Sequence, residues 1–225
     1  AIAATVDVIL SRSITGNSIG AKLTIPQGTL FTDSSGNSWL SARDVTWYSN
    51  VTTCKVPIIQ HEKYTASALN NMLIPTGDRV IVHLGTLPNG KYYEQGSMSL
   101  QIGGETWVLV DTFAKSKPTD KHFMVSVDEA LNPYIMFGDG TFGKKPAAGA
   151  KITNVVFYLT NGTQGNVKSN TITSVPSIIS SSITDATVSN AYDAGGGSNY
   201  ENFIMLKEHI PLSVKTLGVA ITKED

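Results

Sequence analysis

The sequence predicts a mainly β protein of the α+β class: two small antiparallel β domains, one inserted in the other, followed by a short C-terminal helical segment. Three observations predict this fold. Apolar and polar residues alternate with a period of two in many short runs, which is typical of half-buried strands. Turn-forming residues separate those runs. Helical spacing of apolar residues appears only after the glycines at 195–197.

Changes in pattern along the chain suggest the domain boundaries. We expect a discontinuous β domain of residues 1–56 and 150–194, an inserted β domain of residues 57–149, and a hinge and helical segment of residues 195–225. The sequence starts without Met and ends in a capping-type box, Thr222 to Asp225, with no helix behind it. We therefore expect it to be a fragment, truncated at both ends.

The first strands are short and separated by turns. The run "TVDVILS" alternates apolar and polar residues. In "KLTIPQGTLFTD", Pro26 and Gly28 mark a turn between two strands, because proline presets φ and glycine accepts a positive φ. The "SSGN" segment is another turn, and "SWLSARDVTWY" supplies bulky strand residues. Pro57 lies in the next apolar run and predicts an edge strand or a bend, since proline lacks a donor for the sheet.

The middle of the chain predicts the densest sheet region. Gly103 and Gly104 separate two alternating runs, which favours a two-residue hairpin turn with positive φ at both glycines. A second hairpin joins "KHFMVSV" to "YIMFG" through "DEALNP". The strand "KITNVVFYLT" follows and ends at the turn residues Asn161 and Gly162. The Ser/Thr/Ile/Val-rich segment 170–188 carries further strand propensity.

The last part of the chain predicts a helix. After the glycine hinge 195–197, Ser198 and Glu201 have the spacing of a capping box. Three apolar residues then fall on one helical face. We expect this face to pack on a β domain or on a neighbouring subunit, which makes it a candidate partner interface: Phe203, Leu206 and Ile210.

Composition excludes several classes of function. The chain has 17 basic and 18 acidic residues and a net charge of −1, so neither nucleic acid nor an anionic membrane is an expected partner. Only 16% of residues are charged, below the usual quarter. Cys54 is the only cysteine, which rules out a disulfide framework; we expect it to be half-buried and unreactive. No apolar run is long enough for a membrane span.

The segment "GDGTFGK", residues 138–144, has the glycine spacing of a phosphate-binding loop. That loop needs a Ser or Thr after the lysine and a helix that starts there. Here Lys145 and Pro146 follow, and the chain continues into a strand pattern. We therefore interpret Gly138, Asp139 and Gly140 as a turn, because aspartate hydrogen-bonds its own backbone and glycine accepts unusual φ.

The sequence gives only weak signals for a metal-binding, catalytic or sugar-binding site. The four histidines lack metal-ligand spacing, so we expect no metal site and no cofactor. Two carboxylate pairs fit an acid/base mechanism for glycoside hydrolysis: Glu105 with Asp139, and Asp111 with Asp128. An aromatic group could stack on a sugar and leaves a carbohydrate- or receptor-binding module as an alternative function: Phe137, Phe142, Phe157 and Tyr158.

Three blocks in order carry a family resemblance: "IPQGTLFTDSSGNSWLSARDV", "YIMFGDGTFGKKPAAGAKITNVVFYLTNGTQGNV" and "GGGSNYENFIMLKEHIPLSVKTLGVAITKED". Together they resemble the baseplate J-like family, the baseplate wedge proteins of contractile-tailed bacteriophages and related injection machines. The second block ends in the family's Gly-Asn-Val turn, here with Gly165 and Asn166. Residues 57–123 match only in their general β character.

The resemblance implies a structural protein of the virion and no enzyme. Members build a ring of wedges around the tail hub and couple baseplate rearrangement to sheath contraction. The expected partners are other wedge and hub proteins and further copies of this chain. The implied location is the tail baseplate, assembled in the bacterial host cytoplasm.

Overall fold

The computed structural model describes residues 1–13, 22–65, 71–77 and 80–200. In this part of the chain 42% of residues are in β structure and 4% are helical. The mainly β fold class is therefore confirmed. No helix in the described ranges has the length and apolar character to cross a membrane. The predicted helix with Phe203, Leu206 and Ile210 lies outside the described residues.

The first sheet has six antiparallel strands. In spatial order they are β15 (Ile172–Ser174), β3 (Leu30–Asp33), β4 (Ser38–Ser41), β6 (Thr53–Ile59), β1 (Thr5–Ser11) and β16 (Thr187–Ser189). A separate pair, β2 (Leu23–Ile25) and β5 (Val45–Trp47), packs against the same core. The short helix α1 (Ser177–Ser180) interrupts the segment 170–188, which the sequence predicts as strand.

The side chain of Asn190 closes this sheet by joining its two end strands. It is fully buried, and its Oδ1 accepts the backbone N–H groups of Thr171 and Ile172 at 3.0 and 2.9 Å. Its Nδ2 donates to the carbonyls of Lys168 and Tyr192 at 2.9 and 2.8 Å. The Asn190 side chain thus satisfies four backbone groups. Two of them are the N–H groups of Thr171, just before β15, and of Ile172, the first residue of β15.

The second sheet has seven strands in its main order and one beside it. They are β7 (Glu62–Thr65), β14 (Ile152–Thr160), β10 (Ser99–Ile102), β11 (Glu105–Leu109), β12 (His122–Val127), β13 (Pro133–Phe137) and β8 (Ile81–His83), with β9 (Tyr92–Tyr93) paired to β14. One pair is not antiparallel as predicted: β11 and β12 are parallel. The long connection between them gives the chain enough length to return in the same direction.

Both predicted hairpins are confirmed. Ile102 pairs with Glu105 across Gly103 and Gly104, whose φ angles are +58° and +80°, as a type I′ turn requires. β12 and β13 pair in continuous register from Phe123–Phe137 to Val127–Pro133.

The expectation for Pro57 is wrong, because β6 lies in the middle of the first sheet. The N–H and C=O groups of an antiparallel residue face the same neighbour. The Pro57 carbonyl accepts the Ala42 N–H at 2.9 Å, so its nitrogen also faces that side. The β4–β6 ladder comprises only Leu40–Ile59 and Ser41–Ile58. Proline therefore removes no hydrogen bond from the long pairing of β6 with β1.

Each sheet has its own apolar core. The first contains the buried Trp39 and Trp47, and the second contains Trp107 and Phe157. Residues 150–194 are predicted to belong to the discontinuous β domain with residues 1–56, but β14 pairs with β7 and β10 in the second sheet. Its inward residues Val155, Phe157 and Leu159 are fully buried there, which is the physical reason for this placement.

We predict that Asn190→Ala lowers the free energy of unfolding by about 2–4 kcal/mol, because buried backbone groups lose their partners. Chemical denaturation measures the effect. Ser189→Ala, which removes one exposed hydrogen bond to Asn170, is the control and should cost less than about 1 kcal/mol. Equal stabilities of the Asn190 variant and the parent chain would contradict the closing role of this side chain.

Candidate functional site

The chain passes between the two sheets twice, after Ile59 and after Thr160, and these passages lie side by side. Gln60 is fully buried and links them. Its Oε1 accepts the Asn161 backbone N–H at 2.6 Å and the Thr160 hydroxyl at 3.0 Å. Its backbone N–H donates to the Ala4 carbonyl at 2.9 Å. A single side chain thereby fixes the exit and the return of the chain to each other.

A second group of polar side chains extends this contact to the turn before β4. Asn161 Nδ2 donates to Asn37 Oδ1 at 2.6 Å. Asn37 in turn donates to Asp33 through its backbone N–H at 3.0 Å and its side-chain amide at 2.9 Å. The same carboxylate accepts the Trp39 Nε1–H at 3.1 Å and the Ser35 N–H at 2.9 Å. Burial raises the pKa of Asp33, but these hydrogen bonds outweigh burial and hold the pKa below its usual value.

The third part of the contact involves the segment after the second sheet. Asn166 pairs with Gly197 in both directions, donating to its carbonyl and accepting its N–H, each at 2.9 Å. Asn199 Oδ1 accepts the Thr163 N–H at 3.0 Å. We use the term polar junction for Asn37, Gln60, Thr160, Asn161, Asn166 and Gly197.

Glycines let the backbone segments of the polar junction approach closely. A Cβ on Gly197 would lie 2.4 Å from the Gly162 carbonyl oxygen, and one on Gly165 would lie 3.2 Å from the Ala4 methyl group. Gly195 and Ser198 also exchange backbone hydrogen bonds with Thr5 and Ile2. Of the glycines 195–197, predicted as a hinge, Gly195 is thus bonded to the start of the chain and Gly197 to Asn166.

His61 follows Gln60 directly and anchors the entry to the second sheet. Its ring stacks on Tyr158 with centroids 4.7 Å apart, and its Nε2 contacts Glu94 Oε2. A cavity of about 570 Å³ lies beside this pair and reaches Gly28 and Ala42 of the first sheet. The cavity is lined by both sheets, so its shape depends on the polar junction.

The predicted turn at Pro26 and Gly28 lies at this cavity. Gly28 has a φ of +79°, and its N–H donates to the Ser41 carbonyl at 2.9 Å. The Pro26 carbonyl accepts the hydroxyls of Thr29 and Ser41 at 2.7 and 2.6 Å. This turn connects β2 to β3 and fixes the end of β4.

The segment 138–144 forms a turn, and the next regular element is the strand β14, not a helix. Asp139 Oδ1 accepts the N–H groups of Thr141 and Phe142, both at 2.8 Å. A Cβ on Gly138 would lie 2.3 Å from the Gly143 carbonyl carbon, so the loop closes tightly on itself. The Lys144 N–H donates to the Asp120 carbonyl at 2.7 Å. These N–H groups are therefore already engaged and do not form a phosphate cradle.

Two of the remaining candidate carboxylates, Glu105 and Asp128, have structural partners. Glu105 is exposed and accepts a hydrogen bond from Lys121 Nζ at 2.7 Å, which lowers the pKa of Glu105; a general acid needs the opposite shift. Asp128 Oδ1 accepts the N–H groups of Ala130 and Asn132 in a turn. Asp111 is exposed at a separate cavity of about 250 Å³.

The other candidate residues are dispersed. His83 packs on Tyr134, and His122 shares a hydrogen bond with Ser116 at 2.8 Å; His209 lies outside the described residues. Within the described ranges no three His, Cys, Asp or Glu side chains group as metal ligands. Cys54 is half-buried, and burial raises its pKa.

The aromatic residues considered for sugar stacking do not form one platform. Phe137 and Phe157 are buried in the second core, whereas Phe142 is 53% exposed. Phe157 and Tyr158 are successive residues of β14 and therefore point to opposite faces of the sheet.

Sequence reasoning missed Gln60 and Asp33 as residues of this site. For Gln60 the sequence offered one signal, a polar residue directly after the apolar run "VPII".

Together, the fold and this site define a two-sheet β scaffold whose halves are joined by buried polar groups. No family model matches the sequence, and no curated protein matches it. Among solved structures, the chain is similar to a chain in the cryo-electron microscopy structure of the anti-feeding prophage baseplate, six-fold symmetrised. The TM-score is 0.29 and the sequence identity is 13%. The alignment covers 95% of this chain and 39% of that chain, so this chain spans about two fifths of its length.

We predict that Gly197→Ala destabilises the protein by about 1–3 kcal/mol, because the added methyl group meets the Gly162 carbonyl and the backbone must shift. Gly195→Ala is a matched control, since a Cβ there meets nothing within 4 Å. Denaturant titration of both variants should separate them clearly. Identical losses at the two positions would contradict the close approach at Gly197.

We predict that Asp33→Asn lowers stability by about 1–3 kcal/mol at pH 7, since several hydrogen bonds to a charged acceptor weaken. The folded-state pKa of Asp33 lies below its ordinary value of 3.8. Its contribution is therefore present above about pH 4 and is lost as the pH falls through the lowered pKa. Unfolding free energies of the parent chain and variant should converge below pH 3.8. A difference that grows on acidification would contradict this assignment.

Proposed function

We propose that this chain is a structural subunit of the baseplate wedge of a contractile tail, with no catalytic role. One observation carries the proposal: the polar junction contains residues from all three blocks that resemble the baseplate J-like family. Asn37 comes from the first block, Asn161 and Asn166 from the second, and Gly197 from the third. The three blocks thus share one structural task. They hold the two β units, each a sheet with its own apolar core, in a fixed relation.

The state of the candidate chemical groups supports a non-enzymatic role. Asp128 and Asp139 bind backbone N–H groups in turns, and Glu105 is held as a carboxylate by Lys121. A catalytic acid and base need environments that shift their pKa values, so that near neutral pH one group is protonated and the other is ionised. These side chains instead stabilise loops.

In the proposed assembly the chain occupies the tail baseplate of the virion. Its partners are other wedge proteins, the hub and further copies of itself in a ring, after assembly in the cytoplasm of the bacterial host. Phe203, Leu206 and Ile210 are the proposed contact residues of the C-terminal segment. Two rigid β units would transmit displacement between such partners without deforming.

We predict that antibodies against the purified chain label contractile particles from the encoding organism only at the baseplate end. Immunogold electron microscopy measures the position, and mass spectrometry of the purified particles measures the presence of the chain. Antibodies against a sheath protein serve as the control and should label the tail along its length. Purified contractile particles that lack the chain would contradict the proposal.

A further inference from the structure

An apolar cleft of about 210 Å³ opens in the second sheet. Ile81 of β8 and Met136 of β13, which are cross-strand partners, line it together with Phe113 and Phe142. Phe142 is 53% exposed and Ile81 is 43% exposed. Bulky apolar side chains that remain exposed around a concave site are typical of interaction surfaces.

The loops around the cleft are fixed by internal contacts. Asp139 holds the 138–142 turn through two backbone N–H groups. A Cβ on Gly143 would lie 3.2 Å from Phe113 Cδ1, so the two loops touch. The Lys144 N–H to Asp120 carbonyl hydrogen bond, at 2.7 Å, joins them again. A preformed cleft loses little conformational entropy on binding.

The same two loops are rich in lysine. Residues 113–121 and 138–145 contain Lys115, Lys117, Lys121, Lys144 and Lys145, against Asp120 and Asp139. Lys121 and Lys144 share one carboxylate, that of Glu105, at 2.7 and 3.8 Å. Neither Lys115 nor Lys117 takes part in a salt bridge among the described residues. With Glu105 included, the two loops set five lysines against three carboxylates, one of which, Asp139, lines the cleft. The loops around the cleft are therefore net positive, although the net charge of the chain is −1.

We propose that this cleft docks an acidic segment of another protein subunit, which inserts one bulky apolar side chain between Phe113 and Phe142. The proposal rests on the assembly role proposed above. An apolar cavity of about 150 Å³ accommodates benzene, so the cleft has room for one phenyl- or leucine-sized side chain. Carboxylates beside that side chain complement the lysines and favour this partner over neutral or basic ones.

The engaged backbone of the loop argues for a protein segment over a phosphate group. Phosphate sites in glycine-rich loops use free N–H groups. Here the N–H groups of Thr141 and Phe142 bind Asp139, and the Lys144 N–H binds Asp120. The cleft itself is apolar, and the lysines belong to the two loops that flank it.

Photo-crosslinking in intact particles tests the proposal. Phe142 is replaced by p-benzoylphenylalanine in the full chain, particles are assembled in the encoding cells and irradiated, and crosslinked peptides are sequenced by mass spectrometry. The expected product joins position 142 to a peptide of another subunit with carboxylates beside a bulky apolar residue. The same probe at Tyr192, which is 79% exposed on the first unit, is the control and should not capture that peptide.

Charge reversal supplies a second readout. Lys117→Glu should lower the yield of the position-142 crosslink about five-fold, because a rim charge steers association. Lys22→Glu, the same change at another exposed lysine, next to β2 of the first sheet, should leave it unchanged. A crosslink to nucleic acid, to a second copy of this chain or to a peptide without carboxylates would overturn the proposal, as would the absence of any crosslink. Particles that lack the chain altogether would contradict both this proposal and the proposed function.

Discussion

The relation between the two sheets depends on the buried amide of Gln60. Each sheet is stabilised by its own apolar core, and the hydrophobic effect that builds such a core is non-directional. It therefore does not determine how one unit is oriented on the other. Hydrogen bonds are directional, and Gln60 Oε1 accepts two of them where the chain leaves and re-enters the first unit. Because an unpaired buried amide costs about 1–3 kcal/mol, other relative orientations of the units are disfavoured.

The fixed relation of the two units also explains the glycines at and beside the polar junction. Three backbone segments, around Ala4, Gly162 and Gly197, approach within contact distance of one another. Side chains at those positions would separate the segments and break the Asn166–Gly197 pair. The sequence blocks around these glycines are far apart in the chain but belong to one packing unit. This gives a physical reason for their joint occurrence in the sequence.

Local features of this fold could be predicted from sequence, whereas long-range pairings could not. The Gly103–Gly104 hairpin needs only two residues with positive φ, and the sequence supplies glycine at both. By contrast, Gln60 and Asn161 are separated by 101 positions, and nothing near Gln60 specifies its partner. The central position of β6 could not be predicted for the same reason. Pro57 fits in this strand because the β4–β6 ladder ends at Ile58, and that end point is set by a long-range pairing. The parallel pairing of β11 with β12 depends on a connection without regular structure.

Closure of the first sheet determines how this unit can meet partners. Open strand edges are templates for pairing with another chain, but Asn190 binds the backbone beside both end strands. Strand addition at that edge would first require breaking four hydrogen bonds of a buried amide. Strand addition is therefore disfavoured at this edge of the first sheet. In the second unit, the loops at Phe113 and Phe142 flank an apolar cleft, and the Lys144 N–H to Asp120 carbonyl hydrogen bond holds these loops together. The first unit thus has a closed sheet edge, whereas the second unit has a preformed apolar cleft.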